Sequence, residues 1–171
     1  DAALYASSHN LMLGTSPTEF SPNITMTRGM LVTVLYRMNG SPSVSGKTPF
    51  TDVRTDEWYS AAVLWAYQNG IVTGMSDTTF DPINNVTREQ MATILFRYTK
   101  TAAPDKAKAS ADLSGFADAG SVNDWAVDAM RWAVGQKLIA GITLEQSVYL
   151  QPRGNATRAQ AATVLTRYYA Q

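Results

Sequence analysis

The stretch Asn85-Val86-Thr87-Arg88-Glu89-Gln90-Met91-Ala92-Thr93-Ile94-Leu95-Phe96-Arg97-Tyr98 decides how this chain folds. Thr87 and Gln90 have the Ser/Thr-x-x-Glu/Gln spacing of a capping box, which satisfies backbone donors at the start of a helix. Met91, Ile94, Leu95 and Tyr98 follow at i, i+3, i+4 and i+7, one face of an amphipathic helix. The pattern returns on both sides. Met26-Thr27-Arg28 lies 60 residues earlier and Ala156-Thr157-Arg158 lies 70 later, each followed by the same apolar rhythm. Ahead of the three copies stand Phe20-Ser21-Pro22, Phe80-Asp81-Pro82 and Leu150-Gln151-Pro152. Thr157 with Gln160 repeats the full box. Thr27 has Met30 in the glutamine place, so its box is half made, and Gly29 weakens that first turn.

A second block repeats ahead of the first. Phe50-Thr51-Asp52-Val53 with Trp58, Ala62, Trp65 and Ala66 matches Phe116-Ala117-Asp118-Ala119 with Trp125, Ala129, Trp132 and Ala133. It closes on Gly70-Ile71-Val72-Thr73-Gly74 in one copy and Lys137-Leu138-Ile139-Ala140-Gly141 in the other. A tail of the same block, Leu4-Tyr5-Ala6 to Leu11-Met12-Leu13-Gly14, opens the chain, and its Phe-x-Asp segment falls ahead of Asp1 in that register. Each unit reads as helix, loop, helix. The first helix of the middle unit is expected over Trp58–Asn69, with Gly70 as a left-handed C-cap. The units are residues 1–40, with a truncated start, then 48–100 and 116–171, with a linker over 101–115. No unit buries its own apolar stripe, so the copies are expected to pack into one body.

Composition narrows the function. The 171 residues hold 14 Lys plus Arg against 14 Asp plus Glu, so the basic excess of a nucleic-acid binder is missing. There is no cysteine and a single histidine, His9, which removes thiolate sites, histidine metal cages and histidine triads. His9 reads as an exposed helix or turn residue. Asp77-Thr78-Thr79-Phe80-Asp81 fails as a calcium loop, having Pro82 and Arg88 where Gly and Glu are required. Three Asn-x-Thr sequons, at Asn23, Asn85 and Asn155, are explained by turn and cap chemistry. No run of about 20 apolar residues spans a membrane. No catalytic constellation, metal site or cofactor motif stands out, so an enzyme is not expected.

The ordered landmarks Phe-x-Asp-Val, Trp-Tyr, Gly-Ile-x-x-Gly, Phe-x-Pro and Thr-Arg resemble the S-layer homology motif, in triplicate across nearly the whole chain. The resemblance implies an all-α fold of three motifs packed with pseudo-threefold symmetry into one domain, with grooves between neighbours. It also implies non-covalent attachment of a bacterial surface protein to cell-wall polysaccharide, often a secondary polymer bearing pyruvate ketals, with peptidoglycan as the other wall partner. The place of work is then extracellular, at the bacterial cell wall, with the chain a monomeric pseudo-trimer. The alternative role is a protein–protein assembly module. The family's segment commonly reads Thr-Arg-Ala-Glu; here the Arg is kept each time and the Glu is replaced by Met30, Gln90 and Gln160.

Candidate ligand residues follow from the repeats. Arg28, Arg88 and Arg158 stand at helix N-termini, whose unpaired N–H groups favour anions, and the guanidinium fork suits a carboxylate. Several such grooves on one body gain by avidity. Asp52 and Asp118 serve either a sugar hydroxyl or a turn cap. Trp58 and Trp125 form either a flat wall for a sugar ring or part of the core, and Trp65 and Trp132 read as core. Gly74 and Gly141 allow a tight turn and close backbone approach beside the groove. Arg37, Arg97 and Arg167, nine residues beyond the first set, read as cations at helix C-termini. The expected grooves join Arg28 with Asp52 and Trp58, and Arg88 with Asp118 and Trp125. Arg158 then faces the truncated first unit, in an incomplete groove.

Overall fold

The computed structural model describes residues 2–108 and 111–170. Asp1, Gln171 and residues 109–110 of the expected linker lie outside the described residues. Among the described residues six α-helices carry the fold. Motif 1 supplies α1 (Ala2–Ser8) and α2 (Arg28–Met38), motif 2 supplies α3 (Ser60–Gln68) and α4 (Arg88–Ala102), and motif 3 supplies α5 (Val127–Gly135) and α6 (Arg158–Tyr169). The chain is mostly helical, not wholly so. In motif 3 a hairpin pairs β1 (Ile142–Leu144) with β2 (Ser147–Tyr149). Its strands are built from β-favouring Thr143, Val148 and Tyr149, and Glu145 turns between them at φ 55°. This hairpin holds part of the extra length that separates the third copy from the second.

The helix starts follow the capping chemistry. Thr87 and Thr157 form full boxes with Gln90 and Gln160, while Thr27 accepts only from the Met30 N–H. Gly29 has a use that propensity misses. Its N–H donates to Pro82 O at 2.7 Å, and a Cβ there would stand 2.8 Å from that oxygen. α3 begins at Ser60, two residues later than expected, because the Ser60 hydroxyl accepts the Glu57 N–H and leaves Trp58 in the preceding turn. Gly70 closes α3 at φ +67°, with Ile71 N donating back to Ala66 O, the expected left-handed cap.

Helices of one motif are not each other's main partners. α2 packs on α3, α4 on α5, and α1 on α6, so each second helix takes the first helix of another motif. A single apolar cluster runs through all three motifs and includes Leu31, Leu35, Met91, Leu95, Trp65, Trp132 and Leu165. At its base three buried residues donate in a ring: Met26 N to Ala156 O, Ala156 N to Val86 O, and Val86 N to Met26 O, at 2.8, 2.9 and 2.9 Å. Much of the expected linker is docked. Pro104–Ala107 forms a short 3-10 turn, and the Trp132 indole donates to Lys106 O at 2.9 Å.

Candidate functional site

At the second helix of each motif the first three N–H groups are all taken, leaving none of them for an anion. The first two N–H groups of each second helix donate to a neighbouring motif's loop: Arg28 and Gly29 to Asn84 and Pro82, Arg88 and Glu89 to Gly154 and Pro152, Arg158 and Ala159 to Ile24 and Pro22. The third donor goes to the capping threonine. Thus the expectation that backbone amides draw the ligand is corrected, because the packing of one motif on the next consumes them. Any anion must be met by side chains.

The three Thr-Arg arginines are buried and join motifs in the same cyclic order. Arg28 Nε donates to Phe80 O at 2.8 Å, Arg88 Nε to Leu150 O at 2.7 Å, and Arg158 Nε to Phe20 O at 2.9 Å. Arg88 and Arg158 each give a further bond, to Ala140 O and Leu13 O. The Arg28 guanidinium stacks 4.6 Å over Phe80, and that of Arg158 lies 4.8 Å over Phe20. Burial lowers each guanidinium from its ordinary pKa, opposed by Asp81 and Asp52 at Arg28 and by Asp118 at Arg88. None is sealed in an ion pair, since the described salt bridges are Arg54–Asp56 and Lys108–Asp105, both exposed.

Two of these arginines open onto cavities of the same plan. A cavity of about 330 Å³ is lined by Arg28, Val72–Met75, Gln90, Thr93, Ile94, Arg97 and Trp125. A second, of about 230 Å³, is lined among others by Arg158, Met12–Thr15, Met30, Thr33, Val34, Arg37 and Trp58. The two linings correspond position by position through the repeat. All three motifs contribute to each: an arginine from one, a glycine loop and second helix from the next, and a tryptophan from the third. The terminal nitrogens of Arg28 take no carbonyl, and no buried side-chain N or O among the described residues lacks a partner. Arg28 lines the first cavity while its Nε is held by Phe80 O.

Several expected residues sit elsewhere than the expected pairing. Trp125, not Trp58, shares the cavity of Arg28, and Trp58 shares that of Arg158; both indoles are about half exposed. The cyclic order carries each tryptophan one motif further than neighbour pairing suggests. The Arg158 cavity, expected to be incomplete, thus has its tryptophan. The Asp52 carboxylate accepts the N–H groups of Phe80 and Asp81, and Asp118 accepts those of Leu150 and Gln151. Neither lines the two cavities. Gly74, at φ +85°, walls the first cavity, and a Cβ there would meet Phe50 at 2.6 Å and Thr79 O at 2.7 Å. At Gly141 a Cβ would collide with Val148 and Phe116. Trp65 and Trp132 are core, and His9 is exposed, stacked on Tyr5.

Arg37 and Arg97 are the residues that sequence reasoning assigned elsewhere. Arg97 is not in the last turn of α4, which runs on to Ala102; it reaches Thr73 Oγ1 at 3.4 Å and lines the cavity. Arg37 does lie in the last turn of α2, yet it lines the second cavity. Arg167, the third of the set, donates to Leu138 O at 3.1 Å. The available signal was their threefold recurrence, which a dipole role alone does not require.

The pattern of the S-layer homology domain matches residues 49–92 and 115–162. The chain belongs to the S-layer homology family. Domains of this family are non-catalytic modules that anchor S-layer proteins and cell-surface enzymes to the cell wall. An endoglucanase of Bacillus sp. (strain KSM-635) is 33% identical over 156 residues, covering 91% of this chain and 16% of that protein. The surface-layer 125 kDa protein of Lysinibacillus sphaericus is 31% identical over 154 residues, covering 90% of this chain and 12% of that protein. The undecaheme cytochrome from the S-layer of Carboxydothermus ferrireducens covers 96% of this chain and 23% of its own at 19% identity, with a TM-score of 0.45. The chain thus spans a small part of the curated relatives it matches. No helix among the described residues is long and apolar enough to cross a membrane.

The departure of this S-layer homology domain from the Thr-Arg-Ala-Glu pattern now has a place. The Glu position is held by Gln90 in the first cavity and Met30 in the second. Each cavity therefore presents two guanidinium groups and no carboxylate.

Proposed function

We propose that this domain fastens an extracellular bacterial surface protein to an acidic cell-wall polysaccharide, a secondary polymer whose acidic unit is a pyruvate ketal. The reading rests on one observation: the first cavity brings Arg28, Arg97 and Trp125 together with no acidic side chain, and the second repeats this with Arg158, Arg37 and Trp58. The ketal carboxylate meets the paired guanidiniums through charge-assisted hydrogen bonds. The sugar ring lies against the indole, an apolar face with a polar rim. The backbone at Gly74 and Gly14 lets the ring approach closely. In this reading Arg88, which donates to Ala140 O beside Gly141, marks a third site. The motifs are arranged with pseudo-threefold symmetry, supported by the cyclic backbone ring at Met26, Val86 and Ala156. The body acts as a monomer, because repetition within the chain supplies the copies. Two or more weak sites on one rigid body gain affinity for a polymer by on the order of 10².

The test is co-sedimentation with purified cell walls. Binding is expected to fall at high salt and to be lost when the acidic polymer is stripped from the walls. Binding that survives stripping overturns the proposal and points to peptidoglycan or a protein receptor.

A further inference from the structure

We propose that Asp52 and Asp118 are positioning residues, each aiming an arginine of the preceding motif through a single peptide plane. The peptide joining Phe80 to Asp81 is held at both edges. Its N–H, on Asp81, donates to Asp52 Oδ2 at 2.7 Å, and its C=O, on Phe80, accepts from Arg28 Nε at 2.8 Å. In motif 3 the peptide joining Leu150 to Gln151 is held the same way: the Gln151 N–H donates to Asp118 Oδ2 at 2.7 Å and the Leu150 C=O accepts from Arg88 Nε at 2.7 Å. A trans peptide is flat, with N–H and C=O on opposite sides. A carboxylate that fixes the N–H therefore fixes the direction of the carbonyl and, through it, the guanidinium.

Two further features support this role. The second oxygen of each carboxylate takes the preceding N–H, from Phe80 or Leu150, so the plane cannot swivel about one contact. The residue after the carbonyl is left-handed in all three motifs, Ser21 at φ 52°, Asp81 at φ 56° and Gln151 at φ 49°, so the same plane recurs and the carboxylate is what motifs 2 and 3 add to it. Bonds at the two ends of one peptide also polarise it, so a charged acceptor on the N–H strengthens the carbonyl as an acceptor. Asp52 thus acts on the first cavity without entering it, and Asp118 holds Arg88 in the same way. Arg158 is an internal reference, because its carbonyl belongs to Phe20 in motif 1.

The inference builds on the reading that the first cavity takes an acidic sugar, and its test separates the two. The side-chain Nε–H signals of the arginines are recorded by 15N NMR in the full chain and in the Asp52→Asn and Asp118→Asn variants. Asn keeps the size but turns an amide donor toward one of the two N–H groups. Asp52→Asn is expected to shift the Arg28 Nε–H signal and speed its solvent exchange by on the order of tenfold, leaving Arg158 unchanged. Asp118→Asn is expected to do the same to Arg88. An unchanged Arg28 signal in Asp52→Asn, or equal changes at all three arginines, overturns the positioning role. If one variant fails to fold, the other carries the test. Titration with a methyl hexoside bearing a 4,6-linked pyruvate ketal, with its neutral methyl ester as control, is expected to weaken about tenfold in Asp52→Asn. Signals that move as expected with unaltered ketal binding support the positioning role and refute the ligand reading of the cavity.

Discussion

Arg28 of motif 1 is held by the backbone carbonyl of Phe80 in motif 2, with Nε 2.8 Å from the oxygen and the guanidinium stacked on the Phe80 ring. One side chain thereby joins two motifs and also lines the first cavity. Its two duties predict different outcomes for different arginines.

Arg28→Ala is expected to cost both binding and stability. Removing a charged donor from a buried carbonyl costs about 1.5–3 kcal/mol, which for a chain of this size lowers Tm by roughly 3–12 °C. Thermal melts beside wall co-sedimentation check it. Loss of binding with an unchanged Tm would mean the Phe80 bond contributes nothing to the fold.

Arg97→Ala is the cleaner probe of the ligand. The side chain is partly exposed and its Thr73 contact is long at 3.4 Å, so stability should move by about 0.5 kcal/mol or less. Affinity for the pyruvate-ketal hexoside should fall about tenfold, the cost of one charge-assisted contact. Calorimetric titration reads the second and denaturant melts the first.

Gly74→Ala should be severe and Gly40→Ala mild. Both residues have positive φ, +85° and +76°, but only at Gly74 would a Cβ meet Phe50 and two carbonyl oxygens. Left-handed strain alone costs roughly 1–2 kcal/mol; the collisions at Gly74 add to it. Equal midpoints in urea for the two variants would contradict the close-packed turn.

Stability should decline in alkali through Tyr98. Burial, with Tyr168 adding to it, raises the Tyr98 hydroxyl pKa above its ordinary value of 10.0. Above about pH 10 the unfolded chain gives up this proton while the folded chain keeps it, so unfolding stability falls as pH rises, by at most about 1.4 kcal/mol per pH unit. Below that range the contribution is flat. Urea titrations between pH 8 and 11 should show a shallower decline in Tyr98→Phe than in the parent chain.

Met26, Val86 and Ala156 amides should exchange with solvent only on global unfolding, at one common rate. All three are buried and each donates to the next. Native-state hydrogen exchange checks this, and a markedly faster amide at any one of them would show that the motifs open separately.

The helices were legible because their signals are local. Thr87 with Gln90, and the spacing of Met91, Ile94, Leu95 and Tyr98, fix the start and buried face of α4 with no knowledge of the rest of the chain. The repeat also revealed which residues recur, and so Arg28, Trp58 and Gly74 came under attention. Which copy meets which was not legible. The pairing of Arg28 with Trp125 depends on the cyclic order of the helices, and nothing within a motif encodes that order. Arg97 was misread because its expected role assumed a helix end at the same distance in every copy, whereas α4 runs on to Ala102. The N-terminal amides were misjudged for a related reason: their partners, Asn84 and Pro82, are remote in sequence and belong to a different repeat.

The contact of α1 with α6 has a topological consequence. Once the first helix is the partner of the last, the motifs form a closed circuit, and any exposed connection can in principle serve as the place where the chain starts. A circular permutant opened between Gly40 and Gly46, with the old ends joined by a flexible linker, keeps every helix pairing. Its folding would show that rotation around the circuit, rather than order along the polypeptide, defines this architecture.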